Sequence, residues 1–227
     1  MVHIYKKDIK ASVRGVLFDM DGVVLDTEAL YARFWREAAA ALGHTMNYEQ
    51  ALGMRSLSST AGQAQLERYF GTGVSRAEFR AKRIELMDAY IDVHGVALKP
   101  GIRELLDYLE EKGIKAAITT SSPLERVRRY LGPHGLLERF DCLCSGADVP
   151  RGKPEPDIYL HGASCLGLNP EECIAIEDSP AGALSAYRAG CATVMVPDLD
   201  QPDAQTQKLL FAKADSLIDV IELLGNN

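Results

Sequence analysis

Val16, Leu17 and Phe18 form an apolar run that two aspartates, Asp19 and Asp21, interrupt one residue apart, just before Gly22. A short run bounded in this way predicts a strand over 13–18. From Glu28 the period changes. Leu30, Phe34, Trp35, Ala38, Ala41 and Leu42 recur at helical spacing, and Gly43 comes after them where a C-terminal glycine belongs. A second helix is expected over Ser58–Phe70. Ser75 and Glu78 have capping-box spacing for a third, with Ile84, Met87 and Ile91 as its apolar stripe. No strand pattern occurs in residues 28–94, which read as a helical segment inserted after the first strand.

Strands and helices then alternate. After Pro100-Gly101, a helix carries Ile102, Leu105, Leu106 and Leu109 and ends at Gly113; Ala116–Thr119 is the next strand. A helix is expected over Pro123–Leu131 with proline in its first turn, a strand over Phe140–Ser145, and a helix over Asp157–Leu166 closed by Gly167. Cys173–Ile176 reads as a strand running into Glu177 and Asp178. Ser179 and Pro180 suit the N-cap and first position of a helix that Gly190 ends. Thr193–Val196 is a last strand and Leu217–Leu224 a last helix. This rhythm predicts an α/β fold, a doubly wound parallel sheet covered on both faces. The expected domains are an α/β core of 1–27 plus 95–227 and a helical insertion of 28–94.

Composition narrows the function. The 227 residues are 47% apolar and 25% charged, which suits a water-soluble globular chain with a substantial core. A net charge of -7 argues against nucleic acid as a partner, because phosphate backbones call for basic patches. It leaves a small anionic substrate open, since a cation can reverse the field inside a pocket. Lys6, Lys7, Asp8 and Lys10 precede an apolar run too short for a signal peptide or a membrane span, so a cytoplasmic setting without membrane attachment is expected. The five cysteines include no C-x-x-C pair and are expected to be reduced. Cys142 and Cys144 suit a soft metal by type, but no further ligand cluster accompanies them in the sequence.

Polar groups gather at the predicted strand ends: Asp19 and Asp21; Thr120, Ser121 and Ser122; Lys153 after the strand near 145; Glu177 and Asp178. In a parallel sheet these ends share one edge. Read singly, each has a plain structural explanation: an acidic turn, a hydroxyl satisfying a loop, a solvated Gly152-Lys153-Pro154 turn, a capped helix start. Together they make a complementary set. Carboxylate oxygens suit Mg²⁺, while a hydroxyl and an ammonium suit phosphoryl oxygens. One carboxylate can then attack phosphorus and a second can move protons.

With these motifs in place, the chain resembles a haloacid dehalogenase superfamily hydrolase of the β-phosphoglucomutase-like, sugar-phosphatase branch. The likeness rests on Asp19-x-Asp21-Gly22-Val23-x-Leu25-Asp26 with Gly152-Lys153-Pro154 and Glu177-Asp178-Ser179, and it spans nearly the whole chain. It implies that Asp19 is the nucleophile, Asp21 the general acid and base, and Lys153 a partner of both nucleophile and phosphate. Thr120 and Ser121 would bind phosphate. Mg²⁺ would be held by Asp19, Asp178 and the Asp21 carbonyl, with Glu177 a ligand or its supporting partner. Residues 28–94 would be a helical cap, hinged near Asp26-Thr27 and Val96–Lys99, in which Arg55 is the candidate for the distal part of the substrate.

The implied activity is a Mg²⁺-dependent phosphatase for a small phosphorylated metabolite, a sugar phosphate above all, acting through an aspartyl-phosphate. Two readings stay beside it. A sugar phosphomutase would need the histidine that mutases carry in the first cap helix; Tyr31 stands there instead. A receiver-like phospho-acceptor module shares the acid, hydroxyl and lysine set but has neither the inserted helices nor an acid two residues past the nucleophile. Asp21 also argues against carbon–halogen hydrolysis. Nothing in the sequence requires more than a monomer.

Overall fold

The computed structural model describes residues 1–6, 12–55, 57 and 59–225. The chain forms two compact units, one of Met1–Leu25 with Leu98–Asn227 and one of Asp26–Ala97.

In the larger unit, β1 (Val2–Ile4) and β2 (Gly15–Phe18) precede the helical unit, and β3 (Lys115–Thr120), β4 (Cys142–Ser145), β5 (Cys173–Glu177), β6 (Ala192–Met195) and β7 (Ala212–Ala214) come after it. The strand order is β1-β7-β6-β5-β2-β3-β4, and every pairing is parallel except that of β1 with β7. The central strands are buried along almost their whole length, as helices covering both faces require. Register aligns their polar ends. Phe18 lies opposite both Ile118 and Ile176, so Asp19, Thr119 and Glu177 come next at one level.

The helices of the smaller unit are α1 (Glu28–Ala41), α2 (Tyr48–Leu52), α3 (Ser59–Phe70) and α4 (Arg76–His94). They bury Ala32, Trp35, Ala39, Met46, Ala51, Met54, Leu66 and Phe79 as one cluster. The unit extends two residues before and three after the pattern of 28–94, because the Asp26 amide donates to the Ala97 carbonyl at 2.9 Å. Ser58, from which the second helix was expected to start, lies outside the described residues, as do Lys7, Asp8 and Lys10.

The core helices are α5 (Ile102–Lys112), α6 (Leu124–Leu131), α7 (Asp157–Cys165), α8 (Pro180–Ala189), α9 (Ala204–Leu209) and α10 (Leu217–Gly225). Ser179 caps α8, its hydroxyl accepting from the Gly182 amide, with Pro180 at the first position. Two expectations are corrected. Pro123 is the extended N-cap of α6, with ψ 147°, so that helix begins one residue later. Cys142 and Cys165, expected as free thiols, are joined in a disulfide, because α7 packs on β4 and brings their Cα atoms to 6.3 Å. Among the described residues, no helix is long and apolar enough to cross a membrane.

Candidate active site

The parallel register delivers three polar groups to the carboxyl edge of the sheet. Asp19 leaves the end of β2, its amide donating to the Ile176 carbonyl at 3.0 Å, and Glu177 ends β5. Thr119 on β3 lies at the same level, and its hydroxyl donates to the Phe18 carbonyl at 3.1 Å. Lys153 comes from the loop between β4 and α7, where it precedes a cis proline, Pro154. Its ammonium donates to Asp19 Oδ1 at 2.7 Å, to Glu177 Oε1 at 2.6 Å and to the Thr119 carbonyl at 3.1 Å. A residue 134 positions away in sequence is thereby fixed on the Asp19 carboxylate.

Glu177 is fully buried. Besides Lys153, its Oε1 accepts from the Tyr159 hydroxyl of α7 at 2.5 Å; its Oε2 accepts from the Asp178 amide and the Ser179 hydroxyl, both at 3.2 Å. Four donors on one carboxylate satisfy its acceptor oxygens in a buried position. Gly182 in the first turn of α8 makes room for it, since a Cβ there would overlap the Glu177 carboxylate.

The crowding sets the electrostatics. Burial raises the Asp19 carboxyl, Lys153 pulls it back, and the Glu177 and Asp21 carboxylates push it up again, leaving it at about 8. Burial works against the Lys153 ammonium, but the Asp19 and Glu177 carboxylates outweigh it and hold the lysine above its ordinary value. The Tyr159 phenol is held well above its usual range by burial and by the same two carboxylates, so it stays a donor. Lysine is therefore charged, while Asp19, buried and crowded by the other carboxylates, is pushed toward its neutral form.

That crowding bears on a cation. Asp19, Glu177 and Asp178 each offer a carboxylate oxygen within 4.8 Å of the others, and all three are buried. Three hard oxygen donors crowded together fit Mg²⁺, whose charge would offset their mutual repulsion. The Asp21 carboxylate is engaged separately, its Oδ2 accepting from the Ser122 hydroxyl at 3.1 Å. Ser122 is itself positioned: its amide donates to Thr120 Oγ1 at 3.0 Å, and its carbonyl accepts from the Ser145 hydroxyl at 2.9 Å. Thr120 is buried at the end of β3 and Ser121 is exposed just beyond it. Arg55 belongs to the helical unit, where its Nε donates to Glu28 Oε2 at 2.5 Å and both side chains are largely buried. The structure thus brings Asp19, Lys153, Glu177 and Asp178 together, with Asp21 joined to the β3 loop.

A family model for haloacid dehalogenase-like hydrolases matches residues 13–190, most of the chain. The chain belongs to the haloacid dehalogenase-like hydrolases. Hexitol phosphatase A of Escherichia coli is 37% identical over 191 residues, 81% of this chain and 82% of that protein. A phosphorylated carbohydrates phosphatase of Thermotoga maritima is 32% identical, covering 94% and 97% of the two chains. Among solved structures, a CbbY variant from Rhodobacter sphaeroides in complex with xylulose-(1,5)bisphosphate superposes with a TM-score of 0.73 at 26% identity, covering 90% and 95%. Family and relatives together make this member a hydrolase of the phosphatase type, built on the parallel α/β sheet that the alternating pattern predicts.

Two groups in the site had no motif to announce them. Tyr159 stands in Asp157-Ile158-Tyr159-Leu160 and reads in sequence as a core aromatic. Only the packing of α7 over β3 and β2 turns its hydroxyl toward Glu177. The Thr119 carbonyl is a backbone group, invisible to any side-chain pattern.

Proposed function

We propose that this chain is a Mg²⁺-dependent phosphatase that hydrolyses a small sugar phosphate through an aspartyl-phosphate on Asp19. The observation that carries this reading is Lys153, whose ammonium bridges Asp19 at 2.7 Å and Glu177 at 2.6 Å at the carboxyl edge of the sheet. The sugar-phosphate substrate class rests on the hexitol and carbohydrate phosphatases that the chain is similar to.

In this reading Asp19 attacks phosphorus, an Asp19 O–P bond forms and the ester P–O bond breaks. Asp21 gives its proton to the leaving alkoxide. Asp21, now ionised, takes a proton from water as that water attacks the phosphoryl group, and the Asp19 O–P bond breaks to release phosphate. Lys153 keeps Asp19 oriented and offsets charge on the phosphoryl oxygens, while Glu177 holds the lysine in place. The Thr120 hydroxyl and Ser121 amide bind the phosphate, and Ser122 orients Asp21. Asp19 and Asp178, with the Asp21 carbonyl and support from Glu177, would hold Mg²⁺. When bound, that ion adds charge neutralisation on the transferring group. The helical unit of Asp26–Ala97 serves as the cap, and Arg55, set by Glu28, reads the distal part of the substrate. Tyr31, where the mutases carry histidine, supports water as the acceptor rather than a sugar hydroxyl.

Phosphate release from hexitol, hexose and pentulose phosphates, with Mg²⁺ or with EDTA, on wild type and Asp19→Asn, tests the reading. Release that needs Mg²⁺ and disappears in the variant is expected. No release from any compound, with conversion of a hexose 1-phosphate to its 6-phosphate instead, would replace it with the mutase.

A further inference from the structure

Three of the five cysteines converge away from the carboxylates. Cys142 and Cys144 are two apart on β4 and so face the same side, and Cys165 is the last residue of α7, which packs on that strand. Their three sulfurs lie within 4.8 Å of one another. Cys142 is partly buried, Cys144 is buried and Cys165 is exposed. The Cys144 and Cys142 sulfurs are 3.8 Å apart, and Cys142 is bonded to Cys165. No step of the phosphatase reading uses any of them.

Sulfurs about 2.3 Å from a shared metal stand roughly 3.8–4.0 Å apart at tetrahedral or trigonal angles. The Cys142–Cys144 separation of 3.8 Å already has that value. Once the disulfide is opened, Cys165 needs only a side-chain rotation at an exposed helix end to reach the same spacing, its Cα standing 6.3 Å from that of Cys142. The donor set is also unlike the acidic one: three soft sulfurs select thiophilic ions and leave hard, oxygen-seeking ions to the carboxylates.

We propose that, in the reduced protein, Cys142, Cys144 and Cys165 form a three-thiolate site for a soft d¹⁰ cation such as Zn²⁺, Cd²⁺ or Cu⁺. Opening the disulfide takes two electrons and two protons from an external dithiol, which is itself oxidised to a disulfide. Cation binding then releases the thiol protons to solvent as three metal–sulfur bonds form. Burial and the nearby Asp148 raise the Cys144 thiol to about 11, so a bound cation is what stabilises its thiolate in the interior. Exposed Cys165 is the way in. The disulfide and the cation are mutually exclusive, because both use Cys142 and Cys165.

The test uses the full chain, reduced with dithiothreitol, freed of it under argon, and titrated with CdCl₂ in excess Mg²⁺. The ultraviolet thiolate-to-cadmium charge-transfer band reports sulfur ligation alone. Saturation at one equivalent is expected, with affinity lowered in Cys165→Ser by more than the roughly 10–100-fold that losing an outer-shell partner costs. Cys144→Ser should behave alike, and Cys191→Ser should leave the titration unchanged. Cys165→Ser lies at an exposed helix end, so its folding is secure if Cys144→Ser proves unstable. Absence of a saturable band in the reduced protein, or a band unchanged by Cys165→Ser, would overturn the proposal and leave only a disulfide beside a buried thiol.

Discussion

Replacing Tyr159 with phenylalanine removes one hydroxyl from a fully buried ring and leaves the packing of α7 otherwise intact. The lost bond is the 2.5 Å donation to Glu177 Oε1, an acceptor that is 0% exposed. A hydrogen bond to an ionised group contributes about 1.5–3 kcal/mol, and water cannot reach this carboxylate to replace it. Lys153 still donates to the same oxygen at 2.6 Å, so the carboxyl group keeps partial compensation and the loss stays within that range. At about 2–4 °C per kcal/mol for a chain of this length, Tm should fall by about 3–12 °C. The choice of probe matters. Trp35, the single tryptophan, belongs to the helical unit, so its fluorescence reports the wrong part of the chain if the units unfold separately. Urea unfolding tracked by far-ultraviolet circular dichroism avoids this, and the midpoint should shift at unchanged m-value. A phenylalanine variant as stable as the wild type would refute the reasoning, because it would mean that the Tyr159–Glu177 hydrogen bond contributes nothing to the folded core.

Gly182→Ala forces a methyl group into the Glu177 carboxylate, so stability should drop by about 1–3 kcal/mol in urea unfolding and turnover should fall with it as Glu177 leaves Lys153. Ser122→Ala removes the 3.1 Å donor to Asp21; steady-state kinetics should show kcat about two- to tenfold lower at an unchanged melting curve, matching about 0.5–1.5 kcal/mol of positioning. Phe79→Ala opens the core of the helical unit and should cost about 3–5 kcal/mol, read by the midpoint of Trp35 fluorescence. Acid should destabilise the core at its surface pairs. Hydrogen bonds from Arg151 hold Asp157, and those from Asn169 and Arg14 hold Glu172, below the ordinary carboxylate range. Their stabilisation is complete above the unfolded-state values near 4 and is lost as pH falls through the lower folded values. An acid unfolding profile of Arg151→Gln should be flatter than that of wild type in that window.

Legibility in the sequence tracks the strength of each physical signal. The central strands and α1, α5 and α8 were readable because burial on one or both sides imposes long apolar runs or a clean helical stripe, with glycine or serine at the ends. β1 and β7, each three residues long, escaped because three residues cannot show a period, and their pairing depends on a partner more than 200 positions away. The five-residue α2 escaped for the same reason, although its Asn47–Gln50 capping box is written in the sequence. The disulfide was hidden because Cys142 and Cys165 meet only through the packing of α7 on β4, which spacing along the chain does not encode.

The carboxylate site was more legible than the sheet that carries it, and the reason is chemical. A buried lysine and several buried acids are tolerated only where they compensate one another, so such residues at successive strand ends point to a shared location. What composition could not assign was the division of labour among the acids. Glu177 and Asp178 are neighbours in sequence and equivalent in type, yet Glu177 accepts from Lys153, Tyr159, Ser179 and the Asp178 amide. A carboxylate surrounded by four donors is bound to its own scaffold, which makes it the anchor of the lysine. The lysine, in turn, is fixed against Asp19 from the side of Glu177 and Thr119. Substituting Glu177 would therefore disturb Asp19 through Lys153, which bridges the two, and the site is best understood as one charge network with Lys153 at its centre.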